Sequence, residues 1–278
     1  LGANAGCASP LSLTGILAKN LSEPLGYSNF GLHLFLSTLL SGFIFTLIVY
    51  VIYKGYAVKA DNPLKLSDIP KFNKQQLITM GAIVAMVVCC IGFKLDTGLF
   101  AFVAATVLIL LGCADEKKAI KGIPWGTLVM ICGVGVLVNV IDTMGGITLV
   151  SDFLSSFMSA RTAAPIMSAT SGILSWVSST TGVVMPTLYP IAAEICEKFS
   201  SVNYVEVIAG ITATSFAAAI SPLSTGGAII MSSYSAAKET TTVEMNKMFK
   251  TLFLLSVANV LVNVVLSALG VFNLGGLF

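Results

Sequence analysis

Ser221-Pro222-Leu223-Ser224-Thr225-Gly226-Gly227 interrupts a run that otherwise reads as a membrane-crossing helix, with Val207 to Ile220 apolar before it and Ala228 to Ala237 mostly so after it. Proline removes a backbone donor and clashes with the preceding turn, and paired glycines weaken a helix further. Hydrocarbon tolerates such a break only where the freed backbone groups are buried in protein or line a polar cavity. Near the amino end, Ser9-Pro10-Leu11-Ser12-Leu13-Thr14-Gly15 carries nearly the same text. The two breaks are read as partners in one site. Aligning their Thr-Gly pairs takes a one-residue gap.

Composition sets the class. Of 278 residues, 56% are hydrophobic and only 10% charged, against roughly 25% charged in a soluble domain; mean hydropathy is +0.92. The chain is therefore expected to be an all-α polytopic membrane protein embedded in a lipid bilayer, of the plasma or inner membrane. A net charge of +2 without a basic cluster gives no reason to expect nucleic acid. The six cysteines form no C-x-x-C pair and read as small buried hydrophobes. One histidine, His33, and one arginine, Arg161, leave little material for a His-based catalytic site or an Arg clamp. The chain opens inside a motif, so further sequence is expected ahead of Leu1.

About 20 apolar residues cross a bilayer core. Residues 1–53 read as a broken helix followed by one span, Gly31 to Tyr53. Residues 54–76 are the most polar stretch and read as a linker, with Lys54, Lys59, Lys65, Lys71 and Lys74 against Asp61 and Asp68, and with Pro63 and Pro70. Residues 77–278 form a second unit, with spans at about 77–93, 99–111 and 125–140. Residues 165–195 are apolar but interrupted at Ser175 to Gly182, each half too short to cross, so a re-entrant hairpin is expected. The broken span 207–237 and a last span, 251–271, follow.

Lysine placement orients this path, because cytoplasmic loops carry excess Lys and Arg. With the 54–76 linker in the cytoplasm, the loops with Lys117, Lys118 and Lys121 and with Lys238, Lys247 and Lys250 share its side only if 165–195 is a hairpin. The acidic loop with Glu194, Glu197 and Glu206, and the carboxyl terminus, then lie outside. The two breaks run in opposite directions and each precedes one full span, the pattern of an inverted-topology repeat.

Two stretches supply clustered hydroxyls at membrane depth. One cluster is the hairpin tip, Ser175, Ser178, Ser179, Thr180 and Thr181; the other is Ser221, Ser224 and Thr225, mirrored by Ser9, Ser12 and Thr14. Half-helix amino termini suit an oxyanion, while unwound carbonyls and hydroxyl oxygens suit sodium. Against this stands the structural role of Ser and Thr in membranes, bonding back to their own helix or gluing helices together, which is the reading for Ser256 and Ser267. No Asp, Glu, Lys or Arg occurs within 165–193, 207–237 or 251–278. Proton relays normally show intramembrane acids, so a cation held by neutral oxygens is expected instead. Asp96, Asp142 and Asp152 read as solvated span ends, and Arg161, His33 and Trp125 as interfacial residues.

At these motifs the sequence resembles the divalent anion:sodium symporter family of the larger ion transporter superfamily, nearest its malonate and dicarboxylate carrier-like permeases. Ile123-Pro124-Trp125-Gly126 with Gly133 and Gly135 resembles the family's Trp-led glycine-rich span. Ser178-Ser179-Thr180, with Pro186 downstream, lies where the family has a Ser-Asn-Thr hairpin signature, Ser179 standing for the asparagine. Phe216 to Gly227 and Gly2 to Gly15 resemble its unwound segments. The resemblance implies an inverted-repeat, homodimeric elevator carrier, a mobile transport domain moving against a scaffold, with substrate between two hairpin tips; the first hairpin would precede Leu1.

The function expected is sodium symport of a small organic anion, a dicarboxylate by the resemblance, with no catalytic residues and no cofactor beyond sodium as coupling ion. Ser178, Ser179, Thr180, Thr181, Ser224 and Thr225 would bind the anion. Ser178, Thr180, Ser221, Ser224, Thr225 and Gly226 would hold one sodium, and Ser9, Ser12 and Thr14 a symmetry-related one. The break Ser221–Gly227 is expected to face the tip Ser178–Thr181. The alternatives are an inorganic-ion or sodium/proton antiporter of the same superfamily, which needs an intramembrane acid, and a non-transport membrane subunit. A membrane-embedded enzyme would need a Ser–His or Asp–Asp pair at depth.

Overall fold

The computed structural model describes residues 6–57, 72–93, 95–123, 125–237 and 241–273, without the side chains of Ile91, Thr127, Met130, Thr225, Ala236 and Ala237. The middle of the 54–76 linker, residues 58–71, lies outside the described residues, as do Lys94, Pro124 and Lys238. In chain order the helices are α1 (Leu13–Ser22), α2 (Gly31–Ile52), α3 (Lys74–Gly92), α4 (Thr97–Leu110), α5 (Glu116–Gly122) and α6 (Trp125–Thr143). Then come α7 (Gly146–Ser155), α8 (Ala163–Ser175), a π-helical turn (Thr180–Val184), α9 (Met185–Lys198), α10 (Tyr204–Ala218), α11 (Thr225–Ala237) and α12 (Thr242–Ala268). Among the described residues there is no strand. The protein is an all-α, multi-pass integral membrane protein.

Among the described residues, two helices are long and apolar enough to cross a bilayer, α2 with 22 residues and α12 with 27. A third crossing is available to the pair 131–143 and 146–155, bent by 79°. The bend sits at Gly145, whose φ of +74° is a conformation that side chains resist.

The chain divides into two compact units. In the smaller, 51–126, three helices begin on capping side chains. Asn73 accepts from the Gln76 amide at 2.7 Å while the Gln76 side chain accepts from the Asn73 amide at 2.9 Å. This box starts α3 at Lys74, so the last three residues assigned to the linker are helical. Asp96 accepts from the Leu99 amide at 2.7 Å and Asp115 from the Lys118 amide at 2.8 Å. Asp96 is thus a helix cap, satisfying an amide that helix geometry leaves free. Trp125 donates from Nε1 to the Ile120 carbonyl at 3.1 Å.

The larger unit, 1–50 and 127–278, contains both breaks and the tip. Its centre is α10, packed most extensively against α8 and then α12. Small residues permit the approach: a Cβ at Gly172 of α8 would meet Val260 Cγ1 at 2.7 Å and Thr214 Cγ2 at 3.0 Å. Large side chains close the other end, with Met167, Met185, Tyr189, Tyr204, Ile208 and Ile211 buried. Tyr204 stacks on Tyr27 at 3.9 Å and shares a hydrogen bond with Ser22 at 3.0 Å, which fastens α1 to α10. Asp152 pairs with Lys198 at 2.8 Å, linking α7 to α9, so this carboxylate is partnered as well as solvated.

Gly172→Ala adds a methyl where β-branched Val260 has little freedom to yield. Overpacking of about 1–3 kcal/mol outweighs the gain of about 1 kcal/mol in helix propensity. The expected result is a lower thermal unfolding midpoint in detergent micelles. Gly81→Ala, with open space at its Cβ, should leave the midpoint unchanged or raise it.

Candidate functional site

The two breaks fold into the same hydrogen-bonded turn. The Ser9 amide donates to the Gly6 carbonyl at 3.3 Å, and the Ser221 amide to the Ala218 carbonyl at 2.9 Å. Ser12 donates from its amide to the Ser9 carbonyl at 2.9 Å, as Ser224 does to Ser221 at 2.9 Å. The Ser12 hydroxyl reaches the Ser9 carbonyl at 2.7 Å and also the Cys7 carbonyl. The Ser224 hydroxyl reaches the Ser221 carbonyl at 2.8 Å and the Ala219 carbonyl at 2.6 Å. Each serine oxygen then accepts from a glycine amide, Gly15 at 3.2 Å and Gly227 at 3.4 Å.

These bonds pair Gly6 with Ala218, Cys7 with Ala219, Ser9 with Ser221, Ser12 with Ser224 and Gly15 with Gly227. No gap is needed, which corrects the one-residue gap that the shared Thr-Gly text suggested. The reason is steric. A Cβ at Gly15 would overlap the Ser9 carbonyl oxygen, and a Cβ at Gly227 would overlap the Ser221 carbonyl oxygen. The turn demands glycine three residues after its serine, and the threonines occupy unlike positions: Thr14 pairs with Gly226, and Leu13 with Thr225.

At each break two carbonyl oxygens converge on one serine oxygen. A hydroxyl proton satisfies one carbonyl at a time, so the cluster holds more acceptor capacity than donor capacity. Such a cluster suits a small cation. Ser221 is fully buried and its hydroxyl accepts from the Leu223 amide at 3.3 Å. Gly226 lies close beneath the Ala219 carbonyl, where a Cβ would stand 2.5 Å from the oxygen. Thr225 opens α11, and its side chain lies outside the described set. Thr14 is buried in the first turn of α1.

The residues of the tip divide among different tasks. Ser178 donates back to the Leu174 carbonyl at 2.6 Å, closing the end of its own helix. Ser179 caps the π turn, accepting from the Gly182 amide at 3.1 Å. Thr180 is buried, 2.9 Å from the Ser175 hydroxyl, and both reach the Ser215 carbonyl, Thr180 at 3.2 Å and Ser175 at 2.8 Å. Thr181 is half-buried. The Ser179 carbonyl accepts from the amides of both Val183 and Val184, at 2.9 and 3.1 Å, which sets the wide turn. Such π turns recur at functional sites.

The structure therefore brings Ser175 and Thr180 to the broken span at Ser215, in α10 ahead of the break. Among the described residues, the hydrogen bonds between tip and span end there and not on Ser221–Gly227. Sequence reasoning gave Ser215 no role, because what it contributes is a backbone oxygen. It also passed over Asn259, whose amide donates to the Ala217 carbonyl at 3.3 Å beside the break, and Thr214, whose buried hydroxyl has no hydrogen-bond partner among the described residues. Ser256 donates to the Ala218 carbonyl at 3.0 Å, so it joins helices, and does so at the break itself.

A family model described as citrate transporter (CitMHS) matches residues 2–219, from ahead of the first break to the end of α10. No curated protein and no solved structure matches the chain.

Gly15→Ala and Gly227→Ala force backbone to move, and each is expected to cost ~3 kcal/mol or more. Ser12→Ala and Ser224→Ala remove hydroxyl bonds without a clash and should cost about 1–2 kcal/mol each. Thermal unfolding of the purified protein measures both, and equal losses for the glycine and serine variants would contradict the steric account.

Proposed function

The chain belongs to the citrate transporter family, and from that premise we propose that it is a secondary transporter of a citrate-like carboxylate, driven by symport with sodium. The observation that carries the proposal is the pair of equivalent turns, each gathering carbonyl oxygens around a buried or half-buried serine, in stretches of sequence, 6–18 and 207–237, that hold no charged residue. Sodium at the second turn takes the Ser221 and Ala219 carbonyls and the Ser224 hydroxyl, with Thr225 and Gly226 beside it. Sodium at the first takes the Ser9 and Cys7 carbonyls and the Ser12 hydroxyl, with Thr14 behind. Ser179, whose oxygen accepts from Gly182 and keeps its own proton to donate, and half-buried Thr181 offer hydroxyls to the anion together with the amino terminus of α11, while Ser178 and Thr180 hold the shape of the tip.

The neutral character of both turns favours sodium over protons. A carboxylate substrate brings the negative charge that the site lacks, and bound cations offset it. The likeness to divalent anion:sodium symporters supports the same coupling and the elevator movement of a homodimer.

An inverted repeat, 1–53 against the end of 77–278, is supported by the direction of the spans that follow the two turns. His33 Nε2 lies 2.7 Å from the Phe272 carbonyl oxygen, and Ser41 donates to Asn263. Numbers rise along α2 as they fall along α12, so the two helices run antiparallel. With the Lys-rich 54–76 linker in the cytoplasm, the carboxyl terminus then lies outside.

Uptake of labelled citrate into liposomes holding the purified protein, with and without an inward sodium gradient, tests the proposal. Sodium should accelerate uptake, and unlabelled succinate or malonate should compete more weakly than citrate. Thr180→Val should raise the half-saturating sodium or citrate concentration by about tenfold, the effect of losing ~1.4 kcal/mol. Uptake that follows a proton gradient and ignores sodium would favour an antiporter-like or proton-driven carrier and overturn the sodium assignment.

A further inference from the structure

Helix α12 crosses the membrane with four buried polar side chains along one seam, Ser256, Asn259, Asn263 and Ser267. Two asparagines in a span need a reason, since an amide in hydrocarbon must find partners. Their bonds form a chain with a single direction. The Ser41 hydroxyl of α2 donates to Asn263 Oδ1. Asn263 Nδ2 donates to Asn259 Oδ1 at 3.1 Å and to the Asn259 carbonyl at 2.9 Å. With its oxygen so engaged, Asn259 directs its nitrogen to the Ala217 carbonyl at 3.3 Å. Each donor faces an acceptor, so every amide orientation is fixed by its neighbour, and a chain of this kind strengthens along its length.

The end point of the chain is specific. In an unbroken helix the Ser221 amide would satisfy the Ala217 carbonyl. At the break that amide turns to the Ala218 carbonyl at 2.9 Å. Asn259 takes its place at Ala217, Ser256 adds a second donor to Ala218 at 3.0 Å, and Ser224 holds Ala219 at 2.6 Å. Three consecutive carbonyls at the end of α10 are thus held by side chains, two of them from α12.

We propose that Asn259, with Ser256, is a positioning residue for cation binding at the second turn: it fixes the end of α10 so that the Ala219 and Ser221 carbonyls stand ready. This rests on the reading of that turn as a sodium site. Asn263 and Ser41 act one step further back, by fixing Asn259. Ser267, which accepts from Ser168 at 3.2 Å, belongs to the same seam but bonds away from the break, and serves as the internal control.

The test compares Asn259→Leu and Ser267→Ala with the parent protein in liposomes. Half-saturating sodium is measured at fixed citrate, KM for citrate at saturating sodium, and unfolding midpoints in detergent. Asn259→Leu should raise half-saturating sodium by about tenfold or more, the range for losing a group that orients metal ligands, with citrate KM changed far less. Asn263→Ala should move sodium dependence in the same direction. Ser267→Ala should lower the unfolding midpoint and leave sodium dependence in place. A sodium-driven parent whose Asn259→Leu variant shows an unshifted sodium curve, or one shifted no more than Ser267→Ala, overturns the positioning role alone. A parent indifferent to sodium overturns the sodium reading first, and this role with it.

Discussion

Every backbone carbonyl and amide inside a bilayer must find a partner within the protein. That constraint organises the larger unit. A helix stops at Ala218 and another starts at Thr225, and the groups freed between them are met one by one. Ser224 and the Ser221 amide turn back onto the last carbonyls of α10, and α12 supplies Asn259 and Ser256. The tip supplies Ser175 and Thr180 at Ser215, one turn earlier. The last two turns of α10 are thus where helix α12, the tip and the turn of the break all attach.

Close packing makes those bonds possible. Hydroxyls reach the carbonyls of a neighbouring helix only when the two backbones approach, and α8 allows this with Ser168, Ser171, Gly172 and Ser175 on the face toward α10. Ser171 donates to the Ile211 carbonyl at 3.1 Å, and Ser175 repeats the contact one turn on at Ser215. The same stripe that brings the helices together thus delivers the tip to the broken span. The oxygens and amides gathered at the tip and the break carry no formal charge.

Much of this was readable from residues. Apolar runs and sparse charge announced a membrane protein, and proline with glycine marked the two breaks and the interruption near Ser175. Helix boundaries were less legible where capping decided them: polar Lys74, Gln75 and Gln76 look like linker until the Asn73–Gln76 box makes them the first turn of a helix. The correspondence of the two breaks was visible, but its register was not. Text favoured matching Thr-Gly with Thr-Gly, whereas the turn is set by a carbonyl oxygen that excludes a Cβ at Gly15 and Gly227.

The sequence by itself determined the class of protein, the positions of the breaks and the neutrality of the site, because each follows from residue type and local spacing. Tertiary structure alone decided which oxygens converge. Backbone carbonyls carry no signature in the sequence, so Ser215, Ala217 and Ala219 could not be singled out before their neighbours were in place. The long-range chain from Ser41 through Asn263 to Asn259 likewise exists only once α2 and α12 lie antiparallel. Ser221–Gly227 thus marks where the helix must break, and the helices packed around it decide what the break can hold.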